Sequence, residues 1–242
     1  VIRVIKPESL DIYNATMITD KCINCYIKSA AAGHLNENQL RLLSDNCAET
    51  SFKRGETIFK QDSLSSNIIY LKEGLVKISM KWRDKNQILN IIKAPAYLGI
   101  PTALGDKINN YSSIALEDSV ACFIDLNTFK LLIDRNGKFS YEIIIHLCKN
   151  ELQQYQRCVY RSQKHVPGLI ADTLLFFSRE IYRNDTFRLP IDRGDFGDLI
   201  GTTRETVSRM LNEFQQDKLI EMKGKIFTLV DPDRLMKISI NG

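Results

Sequence analysis

The chain has 242 residues, 44% hydrophobic and 26% charged, with a formal net charge of +4. That length suits two domains rather than one, and the composition is that of a soluble globular protein, not a disordered or fibrous one. No run approaches the roughly 18 consecutive apolar residues of a membrane helix, and no basic segment followed by an apolar core marks a signal peptide.

Near the start of the chain Cys22 and Cys25 form a C-x-x-C pair. The six cysteines are spread widely, partly within apolar runs such as Val120-Ala121-Cys122-Phe123. That spread points to a reduced cytoplasmic setting rather than a disulfide framework. From about residue 51 to 126 the pattern is of short alternating runs: Val76, Ile78 and Met80, then Leu89 and Ile91, then Cys122, Ile124 and Leu126. Gly55, Gly74 and Gly99 punctuate them, and Arg83-Asp84-Lys85-Asn86 reads as a polar hairpin tip. Short strands at this spacing predict a barrel or sandwich.

Residues 138–164 carry a helical pattern. Tyr141, Ile145, Cys148, Leu152, Tyr155, Val159, Ser162 and Val166 fall at alternating four- and three-residue steps. This is an a/d seam over more than three heptads, broken only by Ser162. A helix packed on its own domain is one explanation; a coiled-coil dimer helix explains the seam better. Pro167-Gly168 is expected to end the helix and serve as a hinge. The predicted domains are residues 1–137, 138–165 and 166–242.

Residues 192–226 read DRGDFGDLIGTTRETVSRMLNEFQQDKLIEMKGKI. Asp192 is a candidate N-cap for a short helix whose Phe196, Leu199 and Ile200 face inward. Gly201 supplies a left-handed turn residue, and Thr203 can cap the next helix. On that helix Val207, Met210, Leu211 and Phe214 form a packed stripe. Arg204, Glu205, Ser208, Arg209 and Asn212 form the opposite face, with the donors and acceptors that read base edges in a major groove. Two helices joined by a Gly-containing turn are a helix-turn-helix. Apolar runs at 219–222 and 226–230 around Lys223-Gly224-Lys225 then predict a wing. Residues 166–242 hold 11 Lys+Arg against 12 Asp+Glu, so DNA binding must rest on local charge placement and not on a basic excess.

RETVSRML followed by a wing resembles the DNA-binding domain of the cyclic-AMP receptor protein and fumarate-nitrate regulator (CRP/FNR) family of bacterial transcription factors. KRGETIFKQ at 53–61 and YLKEGLVKIS at 70–79 resemble the β-roll of cyclic-nucleotide-binding-like domains. The resemblance runs from about Cys22 to the C-terminus. It implies an α+β chain: an N-terminal jelly-roll sensor, a long central dimerisation helix and a C-terminal winged helix-turn-helix. It further implies a homodimer on a palindromic double-stranded DNA operator, with RNA polymerase as a further partner. Positions matching Arg204, Glu205 and Arg209 contact bases in that family, and Ser208 shares their face. Those matching Arg193, Thr203, Thr206 and Lys223 lie at or near phosphates; Lys225 stands on the same basic turn. Ser208 follows the fumarate-nitrate branch and Arg204 the cyclic-AMP branch, so the operator is not copied from either.

The resemblance also locates an effector pocket at Gly99, Ile100, Tyr111, Ser112, Gln154 and Tyr155. The cyclic-AMP receptor has a ribose-binding Glu where this chain has Ile100, and a phosphate-binding Arg where it has Tyr111. Ile100 offers no hydrogen bond, and a phenol does not replace a bidentate guanidinium, so cyclic AMP is not expected to be the effector. Cys122 falls where the fumarate-nitrate regulator places a distant ligand of its [4Fe–4S] cluster, which takes four thiolates. Cys22 and Cys25 match two more and the remaining position is Ala31; Cys47 is a possible substitute, though nothing in its spacing recommends it. Against an iron–sulfur cluster stands the bland alternative of a solvent-facing Cys22/Cys25 pair and a buried, inert Cys122. Haem would have only His34, His146 and His165 as imidazole ligands, and Cys148 or Cys158 could serve a thiol switch. No Walker loop, H-E-x-x-H, G-x-S-x-G or paired-carboxylate motif suggests an enzyme.

Overall fold

The computed structural model describes residues 22–242; the part of the predicted first domain before Cys22 lies outside them. A 3-10 turn at Ala32–His34 leads into helix α1 (Glu37–Asp45). The Asn36 side chain accepts from the Gln39 N–H at 2.9 Å, and the Gln39 side chain accepts from the Asn36 N–H at 3.1 Å. This reciprocal cap satisfies two otherwise orphaned donors at the helix start.

The roll follows as β1 (Cys47–Phe52), β2 (Thr57–Phe59), β3 (Asn67–Glu73), β4 (Leu75–Trp82), β5 (Lys85–Lys93) and β6 (Ala96–Leu98). Short helix α2 (Ile100–Leu104) separates these from β7 (Ser112–Ala115) and β8 (Ser119–Asp125). Two four-stranded sheets result, ordered β1-β8-β3-β6 and β2-β7-β4-β5. Ile69, Leu71, Leu98 and Ala121 of the first sheet meet Ile58, Val76 and Ile78 of the second in one core. Alternate residues of the first sheet, Ile68, Tyr70, Tyr97 and Ile124, face the other way and pack with α1 and the helices that follow β8. The period-2 pleat thus divides each strand between two cores.

Strands begin at Cys47, before the expected residue 51, and end at Asp125, because Asp125 accepts from the Thr128 N–H and caps a helix there. The expected Leu89/Ile91 alternation is corrected to Ile88 and Ile91. The β4–β5 register shifts between Ile78 and Ser79, so Leu89 is an extra residue, and a bulge resets which side chains turn inward.

Helix α3 (Leu126–Arg135) precedes the long α4 (Gly137–Gln163). Phe139 and Ile143 anchor the start of α4 in the outer core. Beyond them its apolar residues lie open: Tyr141 is 63% exposed, Leu152 61% and Tyr155 59%, with Val159 and Cys148 also exposed. Ile145 is half-buried while Ile144 is exposed, so the open stripe passes through Ile144.

Two expectations fail at the end of α4. The helix stops at Gln163 through an extended Lys164, and Pro167 lies in the first turn of α5 (Val166–Phe176) instead of ending α4. A proline has no N–H to lose at that position. Val166 therefore leaves the seam and packs on the C-terminal core. Gly168 is needed for proximity: a Cβ there would lie 2.9 Å from the Gly242 carbonyl oxygen.

A π-helical turn at Phe177–Tyr182 leads to β9 (Thr186–Arg188), α6 (Arg193–Ile200), α7 (Arg204–Gln216), β10 (Ile220–Lys223), β11 (Ile226–Leu229) and α8 (Pro232–Asn241). The β10–β11 hairpin turns at Gly224, and β9 completes a three-stranded sheet. This unit docks on the roll. Ile88, Ile91, Leu75 and Leu116 share its core. Lys77 pairs with Asp195 at 2.5 Å, Arg161 donates to the Leu199 carbonyl at 2.7 Å, and Gln87 donates to the Asp198 carbonyl.

Candidate nucleic-acid interface and sensor pockets

Helix α7 is positioned by the turn before it. Asp192 caps α6, accepting from the Asp195 N–H at 2.8 Å, and Phe196 and Ile200 are buried beneath. Gly201 ends α6 at φ 79°, donating its N–H to the Gly197 carbonyl at 2.8 Å. The left-handed conformation favours glycine. Gly197 is required for a different reason: a Cβ would fall 2.6 Å from the Thr202 carbonyl oxygen, so the two helices could not approach. Thr203 caps α7, accepting from the Thr206 N–H at 3.2 Å.

Val207, Met210, Leu211 and Phe214 are buried, which leaves Arg204, Glu205, Arg209 and Asn212 exposed and Ser208 partly so. Arg209 reaches Glu213 at 2.8 Å along the same face, and Ser208 Oγ donates to the Arg204 carbonyl at 2.9 Å. Lys223 and Lys225 flank Gly224 on the exposed wing tip. Arg193, expected at a phosphate, lies half-buried beneath the wing. Its guanidinium lies 5.1 Å from the Phe227 ring and 3.3 Å from Met222 Sδ, and burial holds its pKa down.

The family-located effector residues converge only in part. Gly99, Ile100, Tyr111 and Gln154 line a cavity of about 540 Å³ between the roll and α4, together with Ile78, Leu89, Ile92, Leu98 and Leu147. Ser112 instead accepts from the Gln61 N–H at 2.9 Å, and Tyr155 points outward to donate to Glu151. Glu151 is the charged residue in the lining, which has no Lys or Arg. Tyr111 is pushed above the usual phenol range by burial, against hydrogen bonds with Gly99 and Thr102. Asn90 Oδ1, buried at the wall of this cavity, has no partner among the described residues.

On the outer face of the first sheet lies a different pocket. Cys47 on β1 faces Ile124 on β8, and Cys122 faces Glu49, so the two cysteines sit diagonally on one face. Tyr70 lies beside Cys122 on β3. The segment carrying Cys22 and Cys25 covers them, with the Cys22 N–H bonded to Ser44 Oγ at 3.3 Å. All four thiols line one small cavity of about 40 Å³ with Tyr70, Lys72, Tyr97 and Ile124.

Cys47 is hydrogen-bonded with Cys22 and with Cys122. That bond brings the Cys22 thiol down to about 7, with further help from Ser44 and Lys72, and lowers Cys122, while the pKa of Cys47 itself is raised. Lys72 pairs with Glu49 at 2.6 Å beside them. The Tyr70 hydroxyl, on a residue only 7% exposed, has no hydrogen-bond partner, and burial pushes its pKa up to about 12. Sequence spacing missed Cys47 because its relation to Cys122 is set by strand register, which no local pattern records. Among the described residues no three His, Cys, Asp or Glu side chains are placed to hold a single metal ion. The histidines are dispersed: His34 lies 3.9 Å from Glu142, His146 borders the apolar cavity, and His165 precedes α5.

Comparison with known proteins agrees with this geometry at both ends. Residues 170–238 match the family described as Crp-like helix-turn-helix domain, and residues 49–136 match cyclic nucleotide-binding domain. The chain is 26% identical over 229 residues to the fumarate and nitrate reduction regulatory protein of Vibrio cholerae, covering 90% of each. It is 28% identical over 214 residues to electron transport regulator A of Shewanella oneidensis, covering 86% of this chain and 85% of that one. Among solved structures, FixK2 from Bradyrhizobium japonicum superimposes with a TM-score of 0.72 at 18% identity, over 79% of this chain and 96% of that one. A regulator from Eubacterium rectale gives 0.74 at 17% identity, over 86% and 96%.

Proposed function

The chain belongs to the CRP/FNR family of transcription regulators, and we propose that it works as a homodimer on a palindromic double-stranded DNA operator, gated by redox chemistry at the thiol pocket. The observation that carries the DNA-binding part is the face of α7, where Arg204, Glu205, Ser208 and Arg209 are presented together on a capped, core-anchored helix. Arginine forks suit the O6/N7 edge of guanine, and a carboxylate accepts from cytosine N4. Thr203, Thr206, Lys223 and Lys225 stand at the rim, where phosphate oxygens would pass.

The exposed stripe of α4 supports the dimer. Tyr141, Ile144, Cys148, Leu152, Tyr155 and Val159 recur at three- and four-residue steps and leave an exposed apolar stripe on one side of α4 that a second copy would cover. Two recognition helices would then enter successive major grooves about 34 Å apart. RNA polymerase as a further partner and a cytoplasmic setting follow from the same family reading. Among the described residues no helix is long and apolar enough to cross a membrane.

For the effector, the lining of the 540 Å³ cavity has no Lys or Arg to hold a cyclic phosphate. Burying that phosphate against Tyr111 would leave its charge uncompensated. Similarity to fumarate and nitrate reduction regulatory proteins supports an iron–sulfur cluster, for which Cys22, Cys25 and Cys122 would supply thiolates, but the cavity of about 40 Å³ is too small for one as the thiols stand. When bound, such a cluster would supply a redox-responsive group. The protein's own part is to hold the thiols on a rigid sheet face, to set Lys72 beside them, and to place Tyr97 between this pocket and His146 on α4 at 5.8 Å.

Selection of bound sequences from randomised duplexes tests the DNA reading. A two-fold symmetric site with a G·C pair in each half, in a TGA-like core, is expected. Selected sequences lacking symmetry or any preferred G·C pair would remove the assignment.

A further inference from the structure

A cleft of about 780 Å³ opens between β5, α4, α5 and the π-helical turn, where the DNA-binding unit meets the roll. Its lining carries Lys93, Arg157, Arg161 and Arg179 against Asp172 and Glu180. Asp172 is already paired with Lys164 and accepts from Ser239 Oγ, and Glu180 is exposed. We propose that this cleft binds a phosphomonoester or diphosphate, with the guanidinium groups of Arg157 and Arg161 as its anion clamp. The site is separate from the thiol pocket and does not depend on the redox reading.

Arg157 and Arg161 are four residues apart on α4, so their side chains leave one face of the helix with Cβ atoms about 5–6 Å apart. At about 100° per residue this face lies opposite the exposed stripe of Leu152, Tyr155 and Val159, so a second copy on that stripe leaves the cleft open. Both arginines are half-buried, and among the described residues neither has a carboxylate partner. Arg161 donates to the Ile88 carbonyl at 2.8 Å and the Leu199 carbonyl at 2.7 Å, whereas Arg157 reaches only the Leu89 carbonyl, at 3.5 Å. A guanidinium has five N–H donors, so most of the Arg157 fork is unspent. Carbonyls are neutral. Two like charges therefore stand side by side, partly desolvated and without a counter-charge, which is unfavourable. Burial holds both below the ordinary arginine pKa, and Arg161 lowers Arg157 further.

An anion between the two forks supplies the missing counter-charge and accepts charge-assisted hydrogen bonds in the bidentate geometry that suits arginine and phosphate. Two guanidinium groups call for two negative charges. A phosphomonoester or a diphosphate carries them; a cyclic phosphodiester carries one. The cleft is open as it stands, and its volume suits a small organic molecule rather than a bare ion. Asn90 adds a second recognition point. It lines the cleft, and its buried Oδ1 has no partner among the described residues, so a hydroxyl or amine on the organic part would satisfy it. Such a ligand touches β5, α4 and the π-helical turn together and so ties the DNA-binding unit to the roll.

Calorimetric titration of the full chain with inorganic pyrophosphate, in buffer free of phosphate and sulfate, tests the clamp. Wild type should bind, and its thermal unfolding should move upward as pyrophosphate is added. Arg157→Gln and Arg161→Gln should each weaken binding by about tenfold or more, through the loss of one charge-assisted contact. Arg157→Lys, which keeps the charge but not the fork, should lose less. Glutamine retains donors for the carbonyls, and circular dichroism checks that each variant folds. Ribose 5-phosphate, whose hydroxyls are donors, should bind wild type and weaken in Asn90→Leu, with pyrophosphate unaffected; equal affinity there would overturn the Asn90 contact. No binding of pyrophosphate by wild type, or unchanged affinity in both glutamine variants, would overturn the clamp. Loss of binding in Arg209→Gln alone would place the anion on α7 and overturn it as well.

Discussion

The DNA-facing end and the thiol pocket are built in opposite ways. On α7 the candidate DNA-reading side chains come from one 13-residue helix, stand at fixed angular spacing, and are mostly exposed. In the thiol pocket the cysteines come from the segment before α1, from β1 and from β8, and each is half-buried. A site carried by one helix keeps its geometry as long as that helix is capped and anchored. A site assembled across strands has its geometry set by register and by what covers the sheet. Changes on α7 should therefore alter DNA recognition residue by residue, while changes in the pocket should act on the whole constellation and leave the reading face intact.

The sharpest way to break that independence is to remove what both ends share, the α4 seam. Leu152→Asp places a carboxylate in the apolar stripe opposite its own copy, unfavourable by more than about 3 kcal/mol per protomer. Monomers and loss of operator binding are expected by sedimentation velocity and gel shift. A variant that still sediments as a dimer would move the interface elsewhere.

Smaller effects separate scaffold from reader at the DNA end. Arg209→Ala should weaken operator binding by about 1–3 kcal/mol and relax preference at one base pair, read by competition with substituted operators. Gly197→Ala should lower stability by about 1–3 kcal/mol, because the new Cβ meets the Thr202 carbonyl at 2.6 Å and one helix must shift. Thermal unfolding followed by circular dichroism checks it. Lys223→Ala should weaken binding evenly across sequences and reduce the salt slope by about 1.

The smallest expected effect is none. Calorimetric titration with cyclic AMP or cyclic GMP should show no binding, since the cavity lining holds no Lys or Arg. Micromolar binding lost in Tyr111→Phe or Gln154→Ala would restore the nucleotide-sensor view and make the apolar cavity the regulatory one.

How much of this was legible without the fold follows from range. The caps at Asp192 and Thr203, the left-handed Gly201, the buried stripe of α7, the wing turn and the long helix are all fixed by neighbours within a few residues. Residue identity at short spacing was therefore enough to find them. The same locality explains why most of the exposed apolar residues of α4, from Tyr141 to Val159, could be expected from the sequence, with Ile144 exposed where Ile145 was expected. It also explains why Val166 was misassigned: the chain breaks at Lys164 and Pro167 opens the next helix, a choice that depends on packing against α8.

Tertiary structure decided the rest. Leu89 became an extra residue in a bulge because β4 and β5 had to stay paired while their faces served different cores. Arg193 turned under the wing because Phe227 and Met222 stand there. Cys47 joined Cys122, 75 positions further along the chain, through antiparallel register, and Cys22 and Cys25 through a covering segment. A hydrogen-bonded ladder pairs residues by register and not by sequence distance. So the helix-turn-helix could be found in the sequence, while the gathering of four cysteines had to be found in the sheet.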